Sequence, residues 1–197
     1  MNINNTIPAE RAESLQNNLQ NDQSSDKLRI VQLNINSFAK WKPELENDLI
    51  KKQNPDVILL QEINLGLENN HSAKLKGYSV SCRHRTLPRQ DNGDLRGGGL
   101  LIAVRDGIEH KFLGDLDFGV DKETEVQQVE IKWGRESVVI SNIYRPPIWN
   151  VDGRDNRVSN FTANNIFGTC YNTYPTHHHV IAGDINGHHY LWDSWVS

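Results

Sequence analysis

The chain has 197 residues, a formal net charge of −4 and 37% hydrophobic residues. These values predict one folded domain and exclude a strongly basic nucleic-acid-binding protein and a wholly disordered chain. Cys82 and Cys170 lie far apart, which predicts neither a disulfide scaffold nor a metal-binding cysteine pair. The most apolar uncharged stretch, residues 97–104, is far shorter than the ~20 residues of a membrane span, and the N-terminus has no hydrophobic signal core. We therefore expect a soluble intracellular protein without a membrane partner.

The N-terminal residues 1–26 are rich in Asn, Gln and Ser and poor in apolar residues. Such a segment cannot bury enough apolar surface to offset the entropy of ordering, so we expect a disordered leader. The apolar pattern begins abruptly after it. The sequence thus predicts a single domain over residues 27–197.

The first half of this domain predicts strand, helix and strand. Residues 28–36 form a β-rich run, and residues 56–61 form another. Between them, Trp41, Leu45 and Leu49 repeat at the spacing of one helix face, which predicts a helix over 41–52 with Pro43 in its first turn.

The next segment is loop-rich. A weak strand is predicted at 78–83, and a strong one over 100–104 follows three glycines at 97–99. Glycines that precede a strand do not resemble a phosphate-binding loop, which opens a helix, so they favour close packing or a bulge.

The second half predicts a hairpin, a helix and a last strand. The acidic segment 114–125 is predicted to be turn-forming, and residues 129–133 and 137–144 alternate as the two strands of a hairpin. A helix over 161–171 and a strand over 179–184 follow. The sum is a mixed α/β layered domain whose topology the sequence leaves open.

Polar side chains follow four of these apolar strands, at the points where the strands end. They are Asn34 with Asn36, Gln61 with Glu62, Asn142 with Tyr144, and Asp184 with Asn186. Polar groups at the ends of buried strands need partners, and their convergence at one sheet edge would form a site. A hard divalent cation such as Mg²⁺ prefers oxygen ligands, which makes Glu62 and Asp184 the natural candidates.

The motifs LNIN at 33–36, LLQE at 59–62, NIYRPP at 142–147 and GDINGHH at 183–189 resemble, in this order, those of the endonuclease/exonuclease/phosphatase family. The glycine-led strand between the second and third motifs also fits, and the resemblance covers about Leu28 to Ser197. It implies a four-layer α/β/β/α sandwich. Within the family, the motifs are most similar to those of non-long-terminal-repeat retrotransposon endonucleases.

The resemblance implies a role for each matching residue. Glu62 would bind Mg²⁺ or Mn²⁺ with Asn34 nearby, and Tyr144 would contact the phosphate in the transition state. Asp184 would orient or deprotonate the attacking water, and Asn186 would position it. The implied reaction is hydrolysis of a DNA phosphodiester that leaves a 3′-hydroxyl, in a module joined to a reverse transcriptase.

The chain departs from the family pattern after Asp184, because a later Asp-containing strand and a Ser-Asp-His motif are not found there. Loss of a positioned acid–base group typically costs roughly 10²–10⁴-fold in rate. The missing strands would also leave sheet edges unpaired. We therefore expect a C-terminally truncated domain with weak or absent activity.

Several other residues have two open interpretations. Arg96 either contacts DNA phosphates or belongs to a solvated loop, and Arg145 is a candidate phosphate contact because it follows Tyr144. His188 either reaches substrate or packs beside Trp192. The run His177–His179 predicts a solvated turn before a strand, since consecutive strand residues point to opposite faces. Asn36 and Asn142 are interpreted as structural supports.

Two alternatives to retrotransposon DNA nicking remain open at this point. The first is another activity of the same family, at abasic sites or on phosphoinositides or other lipids. The second is a non-catalytic remnant that binds nucleic acid or a protein partner.

Overall fold

The structure is a computed structural model, and it describes residues 27–65, 73–84, 98–116, 124–146 and 160–186. The predicted leader, Arg96 and His188 lie outside these ranges. Among the described helices, none combines the length and the apolar character needed to cross a membrane.

The first sheet contains four strands in the order β1-β2-β4-β3. They are β1 (Ile30–Asn34), β2 (Val57–Gln61), β3 (Tyr78–Arg83) and β4 (Leu100–Arg105). β1 runs parallel to β2, and the other two pairs are antiparallel. Every residue of β2 is buried, and its four apolar residues before Gln61 are typical of a central strand.

The second sheet also contains four strands, in the order β5-β6-β7-β8. They are β5 (His110–Asp115), β6 (Glu125–Trp133), β7 (Glu136–Tyr144) and β8 (His178–Asp184). The predicted hairpin is β6–β7, and β8 pairs with β7 in parallel.

The prediction of a turn-forming segment over 114–125 is wrong at both ends. β5 extends to Asp115, and β6 begins at Glu125. The sequence of β5, HKFLGD, lacks alternation, and its pairing with β6 shifts register between Phe112 and Gly114. Pairing with a long neighbouring strand therefore defines β5, and tertiary context overrides the local signal.

The first helical region begins at Phe38, one turn before the predicted start. It consists of α1 (Phe38–Glu44), a wider π-helical segment (Leu45–Ile50) and α2 (Lys51–Gln53). The side chain of Ser37 caps α1 by accepting the backbone N–H of Lys40 at 3.4 Å. Pro43 thus lies inside the helix and not in its first turn, and its missing N–H precedes the change of helical pitch.

Helices cover the outer faces of both sheets. Phe38 and Leu49 pack with Ile58 and Leu60 of the first sheet, and Ile166 of α3 (Asn160–Thr173) packs with Ile143 of the second. Between the sheets, a separate core joins Val57, Leu59 and Ile102 to Val129, Ile131 and Ile140. The expected four-layer α/β/β/α sandwich is confirmed.

The interior between the sheets changes from apolar to polar along the strands. The inward face of β6 reads Ile131, Val129, Gln127 and Glu125 toward one edge, because alternate residues share a face. In register with the last of these lie Tyr144 on β7 and Asp184 on β8. The polar strand ends therefore lie together at one edge of the sandwich, next to the apolar core between the sheets.

Candidate active site

Glu62 directly follows β2 and has a left-handed backbone conformation, with φ 52°. Asn36, Asn64 and Asn186 around the same edge also have positive φ values. Asn tolerates this region, whereas for Glu it costs about 1–2 kcal/mol. A strained backbone at a carboxylate beside a polar edge is a reason to look for function at that residue.

The strained loop after β2 is held by the turn that precedes β4. The N–H of Ile63 donates to the carbonyl of Gly99 at 3.3 Å, and the N–H of Asn64 donates to the carbonyl of Gly98 at 3.1 Å. A Cβ at Gly99 would lie 3.0 Å from Cγ1 of Ile63, so glycine allows the two segments to approach closely. This is the close packing that the glycine run predicted, and Gly97 lies outside the described residues.

The entry to α1 holds the same loop from the other side. The N–H of Ser37 donates to the carbonyl of Glu62 at 2.9 Å, and the N–H of Phe38 donates to the carbonyl of Ile63 at 2.8 Å. The side chain of Asn64 also donates to Oδ1 of Asn36 at 3.1 Å. Asn36 is thus a support for the loop, as its sequence position suggested.

Asn34 joins the two carboxylates of the site. Its Nδ2 donates to Oε1 of Glu62 at 2.9 Å and to Oδ2 of Asp184 at 2.8 Å. Its Oδ1 accepts the N–H of Asn36 at 3.2 Å, which fixes the orientation of the amide. Glu62 follows the first sheet and Asp184 ends the second, so one amide side chain spans the gap between the sheets.

Asp184 is oriented by the segment that follows it. Its Oδ1 accepts the backbone N–H of Asn186 at 3.0 Å. The side chain of Asn186 donates to the carbonyl of Arg145 at 2.9 Å, and the N–H of Arg145 donates to the carbonyl of Asp184 at 2.9 Å. Both carboxylate oxygens of Asp184 therefore accept hydrogen bonds, and its side chain is held toward Asn34.

A chain of buried amides lies directly beneath these groups. Nδ2 of Asn142 donates to the carbonyls of Leu60 and Leu101 in the opposite sheet, at 3.0 and 3.1 Å. Oδ1 of Asn142 accepts from Gln61 at 2.6 Å, and Gln61 in turn accepts from Gln32. Asn142 is therefore a structural support that fixes the two sheets against each other one layer below the site.

Tyr144 is fully buried at the end of β7, in register with Glu125 on one side and Asp184 on the other. Its contact with a phosphate stays a prediction. Glu125 is also buried, and its Oε2 accepts the N–H of Gly99 at 2.7 Å. Sequence reasoning missed Glu125, although extending the alternation of β6 back from Val129 in steps of two would have reached it.

Of the three predicted substrate-binding residues, Arg145 is the one that the described ranges include. Arg145 is buried, and its backbone supports Asp184 and Asn186 as described above. Its contact with phosphate stays a prediction, as do the roles of Arg96 and His188 outside the described residues.

The histidine run lies at the opposite end of β8 from Asp184. Nε2 of His177 is 3.5 Å from Glu130, Nε2 of His178 is 3.4 Å from Glu136, and Nε2 of His179 is 2.8 Å from the carbonyl of Tyr174. His178 and His179 belong to the strand, and only His177 precedes it. The prediction of a turn over the whole run is therefore wrong, and the three side chains have separate partners.

Both cysteines are free thiols. Burial raises the pKa of Cys82 to about 11, and burial also raises the pKa of Cys170. Because the thiolate is the nucleophilic form, neither residue is suited to covalent catalysis near neutral pH.

The donor set at the edge fits a hard divalent cation. Oxygens of Glu62 and Asp184 lie on either side of one nitrogen of Asn34, and Mg²⁺ typically takes one or two carboxylates while keeping several waters. Among the described residues, no group of three or more His, Cys, Asp or Glu side chains could hold a metal ion. Two carboxylates alone would leave a bound Mg²⁺ most of its waters.

Solved structures share this fold at low sequence identity. The chain is similar to a humanized D. rerio TDP2 with 14 mutations, over 83% of this chain and 68% of that one, with a TM-score of 0.58 and 16% identity. It is similar to D. rerio TDP2 complexed with single-strand DNA product over 82% and 62%, with a TM-score of 0.56 and 15% identity. It is also similar to the 3′-5′ exonuclease NExo from Neisseria meningitidis over 79% and 56%, with a TM-score of 0.52 and 18% identity.

The chain thus spans 68%, 62% and 56% of the lengths of these three proteins, and the likeness shows a shared fold. No curated protein sequence matches it. The model of the Endonuclease/Exonuclease/phosphatase family matches residues 31–196, which include the four motifs and the whole edge built around Glu62 and Asp184. The chain belongs to the endonuclease/exonuclease/phosphatase family.

Proposed function

We propose that this chain is the DNA-nicking module of a retrotransposon and hydrolyses a phosphodiester with the help of Mg²⁺ or Mn²⁺. The observation that carries the proposal is the pair of carboxylates, Glu62 and Asp184, joined through Asn34 across the gap between the sheets. One of the similar structures is a TDP2 with a single-strand DNA product, and another is an exonuclease. The NIYRPP and GDINGHH motifs favour the retrotransposon branch of the family.

In this proposal Glu62 would hold the cation with Asn34 nearby, and the cation would supply charge to polarise the phosphoryl oxygen and to stabilise the leaving oxyanion. Asp184 accepts the proton of the attacking water, because its carboxylate is already oriented by Asn34 and Asn186. Asn186 and Tyr144 hydrogen-bond the phosphate without adding negative charge. A reverse transcriptase in the same polyprotein would be the partner of the module.

The test is nicking of supercoiled plasmid in Mg²⁺, in Mn²⁺ and with a chelator, with Glu62→Gln as the inactive variant. Glu136→Gln is the matched control, since its side chain is 68% exposed at the far end of β7. We expect slow, metal-dependent nicking by the wild type and the control, and a loss of at least 100-fold in Glu62→Gln. Equal rates in the wild type and Glu62→Gln would refute the assigned site.

The same preparation separates the alternatives within the family. Faster cleavage of an abasic duplex would favour a repair-type activity, and release of phosphate from a soluble phosphoinositide would favour a phosphatase. Binding of DNA in chelator without cleavage of any substrate would favour a non-catalytic remnant.

A further inference from the structure

We propose that Glu125 is a positioning residue, whose buried carboxylate fixes the turn at Gly98 and Gly99 and through it the loop that carries Glu62. The inference rests on the proposed function in one respect, since it treats Glu62 as the residue that holds the cation. It adds a residue of the second sheet to the groups that set the geometry of the site.

The first contact is between a buried carboxylate and a backbone amide. Oε2 of Glu125 accepts the N–H of Gly99 at 2.7 Å, and 5% of Glu125 is exposed. Burial of a carboxylate is costly unless hydrogen bonds compensate, and hydrogen bonds to a charged acceptor are short and about twice as strong as neutral ones. Burial of Glu125 is therefore unfavourable by itself, and the hydrogen bond from the amide of Gly99 offsets part of that cost.

The turn transmits this restraint to the loop. The carbonyls of Gly99 and Gly98 accept the N–H groups of Ile63 and Asn64, the two residues that follow Glu62. Gly99 has φ +82°, and a Cβ there would lie 3.0 Å from Ile63 and 3.1 Å from the carbonyl of Arg83. The turn is therefore confined on both sides, and movement of Gly99 would move the backbone beside Glu62.

The position of Glu125 in the second sheet determines which parts of the site its hydrogen bond connects. Glu125 opens β6 in register with Tyr144, and Tyr144 is in register with Asp184. The bond to Gly99 therefore ties the Glu62 loop of the first sheet to the strand ends of the second sheet that include Asp184. Glu125 thereby helps to set the separation of the two carboxylates that Asn34 joins.

The experiment compares Glu125→Ala and Glu125→Gln with Glu130→Ala, which removes a carboxylate from the outer face of the same strand. The first readout is hydrogen exchange of the Ile63 and Asn64 amides, measured against the amides of β2 as an internal reference for global stability. The second readout is the affinity for Mn²⁺. Neither readout requires catalysis.

We expect Glu125→Ala to speed exchange of the Ile63 and Asn64 amides relative to β2. Its Mn²⁺ affinity should fall by roughly 10–100-fold, the usual effect of removing a group that orients a metal ligand. Glu125→Gln keeps an acceptor oxygen for Gly99 and should recover most of both properties, and Glu130→Ala should resemble the wild type. Wild-type exchange of both amides in a folded Glu125→Ala protein would overturn the inference.

If Glu125→Ala does not fold, Gly99→Ala disturbs the same turn while leaving the carboxylate in place, and the same local increase in exchange is expected. Unchanged exchange in that variant would equally overturn the inference. Failure of the wild type to bind Mn²⁺ would instead count against the proposed function, and the exchange data would still decide the role of Glu125.

Discussion

At the scale of single residues, the backbone of Glu62 is the most informative feature of the site. It adopts a left-handed conformation that is unfavourable for a glutamate, in a loop held by hydrogen bonds to Gly98, Gly99 and the start of α1. Hydrogen bonds from both neighbouring segments hold this unfavourable conformation in place, as is typical of strained residues at functional sites. Selection for stability alone would favour glycine or asparagine at this position.

We therefore predict that Glu62→Gly is more stable than Glu62→Ala by about 1–2 kcal/mol, the cost of a Cβ in the left-handed region. Both variants lose the carboxylate, so the comparison isolates the backbone. The measurement is the free energy of unfolding from urea titrations. At Glu44, which has helical φ −69°, the order should reverse, because glycine in a helix is less favourable than alanine by about 1 kcal/mol. Equal stability of the two Glu62 variants would contradict the strain argument.

At the scale of elements, the approach of β8 to β7 depends on Gly183. It has φ +150°, and a Cβ there would lie 1.9 Å from the carbonyl oxygen of Ile143. No side chain can be accommodated without a shift of one strand against the other. Asp184 is the next residue, so the position of this carboxylate depends on the same close contact.

Gly183→Ala should cost at least about 3 kcal/mol of unfolding free energy, the range of severe overpacking. The matched control is Gly134→Ala in the β6–β7 turn, where φ is +63° and no atom lies within 4 Å of the added Cβ. The control should lose only about 1–2 kcal/mol, the cost of a Cβ in the left-handed region. Urea midpoints that fall equally in both variants would show that β7 and β8 can accommodate a methyl group at position 183.

The far end of β6 provides a prediction about pH. A hydrogen bond from Ser137, together with Lys132 and His177, lowers the pKa of Glu130 below its ordinary value, against an opposing effect of burial. A lowered folded-state pKa means that the ionised form stabilises the fold above the unfolded-state pKa. That contribution is lost as the pH falls through the folded-state pKa.

Glu130→Gln should therefore be less stable than the wild type near pH 7, and the difference should shrink below about pH 4, where the unfolded carboxyl takes up a proton. Thermal unfolding between pH 3 and pH 7 measures both the deficit near neutral pH and its decrease at low pH. Glu136→Gln, at a side chain that is 68% exposed, serves as the control and should show little difference at either pH. A Glu130→Gln deficit that stays constant across this range would argue against the ionic interactions.

At the scale of the whole molecule, the sequence predicted the four strands whose ends carry the site, because buried strands are continuous apolar runs and polar residues end them abruptly. Glu62 and Asp184 were recognisable for that reason. β5 and the early start of β6 were not, since pairing with neighbouring strands defines them. Glu125 was hidden in an acidic segment, where local composition indicates a turn, and its buried, inward-facing position follows only if the alternation of β6 is extended through that segment, as the sheet register does.

The architecture of the site predicts that a bound cation stabilises the entire fold. Glu62 follows a strand of the first sheet, and Asn34 ends the neighbouring strand. A cation held by Glu62 with Asn34 nearby would bind the folded state alone, because unfolding separates these two residues. Each tenfold rise in Mn²⁺ above its dissociation constant should then add about 1.4 kcal/mol to the free energy of unfolding. Glu62→Gln should lose this increment while Glu136→Gln retains it, and thermal unfolding across a Mn²⁺ titration measures it. An increment that is identical in Glu62→Gln would mean that the ion binds elsewhere on the protein, and the pairing of Glu62 with Asn34 would then need another explanation.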